Sequence, residues 1–202
     1  MFRALFRGDS PFWKPFGFVA DLLVLSVLWL LCSLPLVTLG GAAAALYDAV
    51  VHGLRRKEPD YLSRFFQTFR QEWKHGVGPT LLWGCLLGGL YAGFRWFTGH
   101  ASGDAAVMTA VGLLVLLCIP LGIACWVFPL LSRFTLDFRT LNGNAARLAL
   151  GKLPITFLLA LSAYGCLWVT VRFLFLPLLL LPAALMLAWS YLLEPVFRSY
   201  EG

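Results

Sequence analysis

The sequence predicts an all-α fold: a polytopic transmembrane helical bundle of about six membrane segments with two cytoplasmic amphipathic helices. Three observations predict it. Of 202 residues, 60% are apolar and 13% charged, with a mean hydropathy of +0.80; a soluble domain keeps roughly a quarter of its residues charged, so this chain needs lipid as its solvent. Apolar runs of near 20 residues recur, the helical length that crosses a hydrocarbon core of ~30 Å. The 16 Lys+Arg outnumber the 10 Asp+Glu, but they sit in short stretches between those runs. That distribution reads as an orientation signal rather than a nucleic-acid surface.

The whole chain is read as one domain, 1–202. Residues 1–15 carry Arg3, Arg7, Asp9 and Lys14 and lack a short apolar run followed by a small-residue cleavage site, so residues 16–34 read as a retained first span. Pro35 removes a backbone donor and ends it. Residues 36–52, with Gly40, Gly41 and Ala42 to Ala45, form a short apolar second segment. Residues 77–97 make a third span, and 105–131 a fourth that holds Pro120 and Pro129. The stretch 153–193 carries one charge, Arg172; as a single helix it would be about 60 Å long, twice the core, so it divides into spans at 153–171 and 177–193.

Charge orients these segments. If residues 36–52 cross, 14 of the 16 basic residues fall on one side, leaving Arg95 and Arg172 opposite. If they do not, the split falls to 11 against 5. The positive-inside bias therefore favours six crossings with both termini cytoplasmic; a re-entrant hairpin on the outer side is the alternative for the second segment.

The two amphipathic stretches echo one another. Leu62-Ser63-Arg64-Phe65-Phe66-Gln67-Thr68-Phe69-Arg70 and Leu131-Ser132-Arg133-Phe134-Thr135-Leu136-Asp137-Phe138-Arg139 share six of nine residues. A parallel duplication explains this, as does a shared interfacial task. In the first, Leu62, Phe65, Phe66, Phe69 and Trp73 share a face opposite Arg64, Arg70 and Lys74; in the second, Phe134, Phe138 and Leu141 recur at helical spacing beside Arg133 and Arg139. Apolar aromatics opposite these basic residues suit an anionic inner leaflet, with the lipid bilayer as the partner, or a docked cytoplasmic protein. Asn142-Gly143-Asn144 weakens the second helix.

Few positions point to chemistry. The three histidines lack ligand spacing, and no metalloprotease helix, phosphate loop or nucleophile elbow occurs, so the sequence offers no catalytic, metal or cofactor residues and the chain is expected not to be an enzyme. The five cysteines lie in apolar runs and read as small buried hydrophobes. Gly84-x-x-x-Gly88 and Gly89-x-x-x-Gly93 let helix backbones approach closely, either inside the bundle, with residues 40–45 as mate, or between copies in a homo-oligomer. Among ionisable groups near spans, Arg95 and Arg172 snorkel to the outer boundary and Asp21 reaches the cytoplasmic headgroups. Asp48 and His52, four residues apart, form a pair able to relay a proton or bind a cation; the alternative is a boundary carboxylate paired with Arg55 or Arg56.

Trp29-Leu30-Leu31-Cys32-Ser33-Leu34-Pro35-Leu36-Val37-Thr38-Leu39-Gly40, running on to Ala45-Leu46-Tyr47, resembles the signature of the YesL-like bacterial membrane proteins. Phe65 to Arg70 and the closing Glu194-Pro195-Val196-Phe197-Arg198-Ser199-Tyr200 resemble that family's later blocks. It is a family of unknown function. The resemblance implies a plasma-membrane protein of Gram-positive-type bacteria, encoded beside genes for sugar-uptake ABC transporters. It implies an accessory or regulatory partner of such a permease, and supplies no catalytic residues. A small autonomous transporter or channel and a membrane assembly factor are the competing readings.

Overall fold

The computed structural model describes residues 14–56, 58, 60–100, 104–134, 136–173 and 176–201; Arg3, Arg7, Asp9, Lys57 and Thr135 lie outside them. Every regular element among the described residues is helical. The order is α1 (Lys14–Ser33), a 3-10 turn (Leu36–Thr38), α2 (Leu39–Ala49), a π-helical turn (Val50–Arg55), α3 (Tyr61–His100), α4 (Asp104–Arg133), α5 (Phe138–Gly151), α6 (Leu153–Arg172), a 3-10 turn (Leu176–Leu179) and α7 (Leu181–Glu201). Four helical stretches, Leu36–Arg55, Tyr61–His100, Val107–Arg133 and Leu153–Arg172, are long and apolar enough to cross a membrane; Gly17–Ser33 and Leu181–Phe197 are shorter apolar helices.

The second apolar segment does not turn back on itself. The 3-10 turn, α2 and the π turn join into one rod from Leu36 to Arg55, and everything from Gly40 to His52 is buried. Its entry corner is fixed by the Thr38 hydroxyl, placed 2.6 Å from the Cys32 carbonyl and 2.7 Å from that of Pro35. Small residues explain its central position, because a helix with hydrogen for a side chain lets a neighbouring backbone come close. At Gly41 an added Cβ would stand 2.6 Å from Trp73 Cα, and at Gly76 one would stand 2.5 Å from Gly41 N. Gly40 N–H donates to Thr80 Oγ1 at 2.9 Å. Further along, Asp48 meets Arg64 and Thr68, and Gly53 lies against Tyr61. These contacts share one antiparallel register: α2 and its π turn form a hairpin with the first twenty residues of α3.

This hairpin corrects the expected separation of the first amphipathic helix from the third span. Residues 61–97 belong to the single 40-residue helix α3, about 60 Å long. The aromatic face expected on lipid is divided, because the hairpin covers part of it: Phe65 is fully buried and stacks on Phe69, while Leu62, Phe66 and Trp73 stay exposed. The second amphipathic stretch is continuous through Asn142-Gly143-Asn144. Asn142 is tied in by donating from Nδ2 to the Phe138 carbonyl and accepting from Trp83 Nε1 at 2.8 Å, which holds the helix across its weakest residues. The echoed segments differ in backbone: residues 62–70 are helix throughout, whereas 131–139 end α4 and begin α5. At the position of mid-helical Thr68, the second copy has Asp137, extended at φ −64°, ψ 151°, as the N-terminal flank of α5.

The core around α2 is built from Trp126 and Leu131 of α4, Phe65 of α3, Leu25 of α1, and Leu193 and Phe197 of α7. Cys125 is buried as expected, but Cys85 and Cys118 are exposed.

Candidate functional site

The most polar part of the interior surrounds the C-terminal end of the buried rod. Asp48, on the last turn of α2, is 7% exposed. Its Oδ2 accepts Arg64 Nε–H at 3.1 Å and the Thr68 hydroxyl at 2.8 Å. Its Oδ1 lies 3.0 Å from His52 Nδ1, which is also 3.0 Å from the Asp48 carbonyl. On the other side of the imidazole, Arg56 Nη1 lies 3.1 Å from Nε2. A guanidinium only donates, so Nε2 is the acceptor and the ring proton sits on Nδ1, facing the carboxylate. The π turn places both side chains: the Arg56 amide closes a wide ring onto the Val51 carbonyl at 3.0 Å, a register change typical of functional positions in helices.

Arg64 also reaches Glu58 at 3.5 Å. Beside it, His52, Glu58, Asp60, Tyr61, Arg64 and Gln67 line a cavity of about 320 Å³. Tyr61 closes this end by donating its hydroxyl to Asp21 Oδ1 at 2.6 Å.

A second buried carboxylate completes the layer. Glu194 of α7 is 2% exposed and pairs with Arg133 at the end of α4. Arg55 donates to the Ser190 carbonyl and lies 4.9 Å over the Tyr191 ring. The Tyr47 hydroxyl is buried without a hydrogen-bond partner among the described residues.

The structure thus brings Asp48 and His52 together, but Asp48 takes its countercharge from Arg64 rather than from Arg55 or Arg56. Asp21 finds Tyr61 where headgroups were expected. Of the five basic residues assigned to the inner leaflet, Arg70, Lys74 and Arg139 are exposed, Arg64 is exposed but pairs with Asp48, and Arg133 is partly buried against Glu194. A buried carboxylate without a countercharge is costly, which outweighs an exposed contact with lipid. The glycine stripe behaves oppositely to the expected internal packing: a Cβ added at Gly84, Gly88, Gly89 or Gly93 would meet nothing within 4 Å. Residues 40 and 41 instead approach Gly76, earlier on α3. Among the described residues no group of three His, Cys, Asp or Glu is placed to hold a metal.

Sequence reasoning missed Glu194, Thr68 and Tyr61. The signal for Glu194 was present in the repeated Leu-Ser-Arg-Phe, whose two arginines both neutralise buried carboxylates.

Residues 22–94 match the family described as "Protein of unknown function, DUF624". That stretch runs from α1 through the rod to Phe94 of α3. It therefore contains Asp48, His52, Arg64, Thr68, the close glycine crossing and the open glycine stripe. No curated protein and no solved structure matches the chain. The match and the apolar helices together fit a membrane protein of unknown function.

Proposed function

We propose that this chain is a non-enzymatic membrane protein that acts by binding, as an accessory or regulatory subunit of a carbohydrate-import permease in a bacterial plasma membrane. The observation that carries the binding role is the state of Asp48. A carboxylate that takes up a transported ion needs free oxygens, and here both are occupied by His52, Arg64 and Thr68 of the same chain. That favours a structural clasp over an ion-binding step, and an accessory protein over an autonomous transporter. The open stripe of Gly84, Gly88, Gly89 and Gly93 offers a membrane partner a surface that allows close helix approach. The carbohydrate permease and the plasma membrane are supported by the YesL-like resemblance, and cytoplasmic termini by the basic asymmetry.

Purification in mild detergent followed by identification of bound proteins tests this reading. An ABC permease should co-purify, and Gly88→Leu should release it while leaving the isolated chain folded. Proteoliposomes containing the chain alone should show no sugar or ion flux. A flux abolished by Asp48→Asn in a folded protein would establish the transporter reading instead.

A further inference from the structure

The three described helices α4, α5 and α6 enclose a groove unrelated to the polar layer. Its volume is about 460 Å³, and its walls include Val115 and Cys118 of α4, and Leu153, Phe157, Leu161 and Tyr164 of α6. The α6 residues recur every three or four positions and so form one face. Polar groups at its floor are already satisfied: Thr156 Oγ1 accepts from Trp126 Nε1 at 2.9 Å and donates to the Ala149 carbonyl at 2.9 Å. Nothing in the walls asks for a polar guest.

Length and charge identify the occupant. From Leu153 to Tyr164 the groove runs about 16 Å along α6, the depth of one leaflet in a core of ~30 Å. At its Leu153 end the chain turns from α5 into α6, and that corner is basic. Lys152 lies between the groove residues Leu150 and Leu153, and Arg147 is three residues before Leu150 on the same side of α5; both are exposed. No acidic residue occurs between Phe138 and Leu193, nor in α4 after Asp104; Asp137 lies beyond the opposite end of α5. A one-leaflet apolar channel with a cationic mouth has the chemistry of a phospholipid with a net negative headgroup.

We infer that this groove is a binding site for an anionic phospholipid, one acyl chain lying between α4 and α6 and the phosphate held by Arg147 and Lys152. The site is independent of the permease reading, since it needs no protein partner, and its test uses the isolated full-length chain.

The chain in mild detergent is titrated with phosphatidylglycerol and, separately, phosphatidylcholine, and bound lipid is counted by native mass spectrometry. Phosphatidylglycerol should bind in preference. Each of Arg147→Gln and Lys152→Gln should weaken it about fivefold, the factor equivalent to ~1 kcal/mol per basic residue near an anionic headgroup. Cys118→Trp, at an exposed wall position, should remove bound lipid of both kinds while helicity and elution volume stay those of the parent; Leu161→Trp, from the facing wall, serves if Cys118→Trp fails to fold. Equal binding of the two lipids overturns the inference. So does phosphatidylglycerol binding that falls with the charge variants but survives both tryptophans, which is surface attraction without a groove. Efficient Cys118–Cys118 cross-linking between copies in place of lipid binding also overturns it, by assigning the groove to a second chain.

Discussion

Gly41→Ala tests the claim that the fold is organised by backbone contact between α2 and α3. The added methyl would stand 2.6 Å from Trp73 Cα, 3.2 Å from Trp73 N and 3.3 Å from its Cβ. Ordinary contact begins at 3.4 Å, so the helices must separate by 0.8 Å. The obstructing atoms are backbone, and no rotamer change relieves them. Separation there also strains the neighbouring Gly40 N–H bond to Thr80 Oγ1. Overpacking of this kind costs about 1–3 kcal/mol, and the better helix propensity of Ala returns at most ~1 kcal/mol. Because the obstruction is unyielding backbone, the upper part of that cost applies, and a net loss of about 1–2 kcal/mol remains after the propensity gain. Gly88→Ala is the control: it carries the same propensity gain with nothing within 4 Å, so it should leave stability unchanged or slightly raised. Thermal unfolding of both variants in one detergent, followed by tryptophan fluorescence, makes the comparison. If Gly41→Ala matched the parent, or Gly88→Ala lost as much, close approach at Gly41 would not organise the fold.

Three further outcomes are expected. Arg133→Gln strands the Glu194 carboxylate at 2% exposure and should cost about 3–5 kcal/mol; Arg133→Met with Glu194→Leu should recover most of that, and a double variant no better than the single would refute charge pairing as the cause. Thr68→Val keeps the shape of the side chain and deletes its 2.8 Å bond to Asp48; a loss of about 1.5–3 kcal/mol in unfolding stability is expected, and none if Arg64 and His52 suffice. Glu72 precedes the apolar part of α3 and is 9% exposed, and burial raises its carboxyl above the usual range while the charge of His75 opposes this. Because its folded pKa lies above the unfolded one, its contribution is fully present below the unfolded value and lost as pH rises through the folded value. Glu72→Gln should therefore raise the unfolding midpoint at neutral pH and lose that advantage in acid.

What the sequence made legible follows from what each residue contributes locally. The helical class is local: long apolar runs leave the backbone little alternative in lipid, and Pro35 marks the end of α1 at a corner that is structurally present. The site is partly local. Asp48 and His52 are one turn apart on one segment, so spacing alone makes them neighbours. Their partners Arg64 and Thr68 come from another helix, and only the hairpin register, set by Gly40, Gly41 and Gly76, brings them within reach. The glycine pattern itself misled. Gly84 to Gly93 match a packing motif along one helix, but a motif says that close approach is possible, not which neighbour arrives. Residues 40 and 41 reach Gly76 first, because the loop after Arg55 is short and fixes where the hairpin folds. Similarly, Arg64 lies on the polar face of an amphipathic pattern, yet a pattern carries no information about the carboxylate buried on the neighbouring helix.

The echoed Leu-Ser-Arg-Phe resolves into one physical task performed twice. Phe65 is buried and Phe134 packs at the edge of the core, each directly after an arginine that reaches a buried carboxylate. The apolar ring anchors the backbone so that the arginine stem is held alongside protein; the Arg133 pair with Glu194 lies where water is scarce, whereas Arg64 reaches the buried Asp48 from an exposed position. The two copies do this from different backbones, a helix interior and a helix end, so the shared requirement lies in the side chains. This bears on orientation. Arg55, Arg64 and Arg133 contributed to the basic excess on one side, yet each has a protein partner that would hold it there regardless of lipid. On the expected six crossings, removing all three leaves eleven basic residues on that side against Arg95 and Arg172. The asymmetry is thus carried by residues such as Arg70, Lys74, Arg139, Arg147 and Lys152, which are exposed and whose charge has the bilayer surface, not a buried carboxylate, as its natural counterpart.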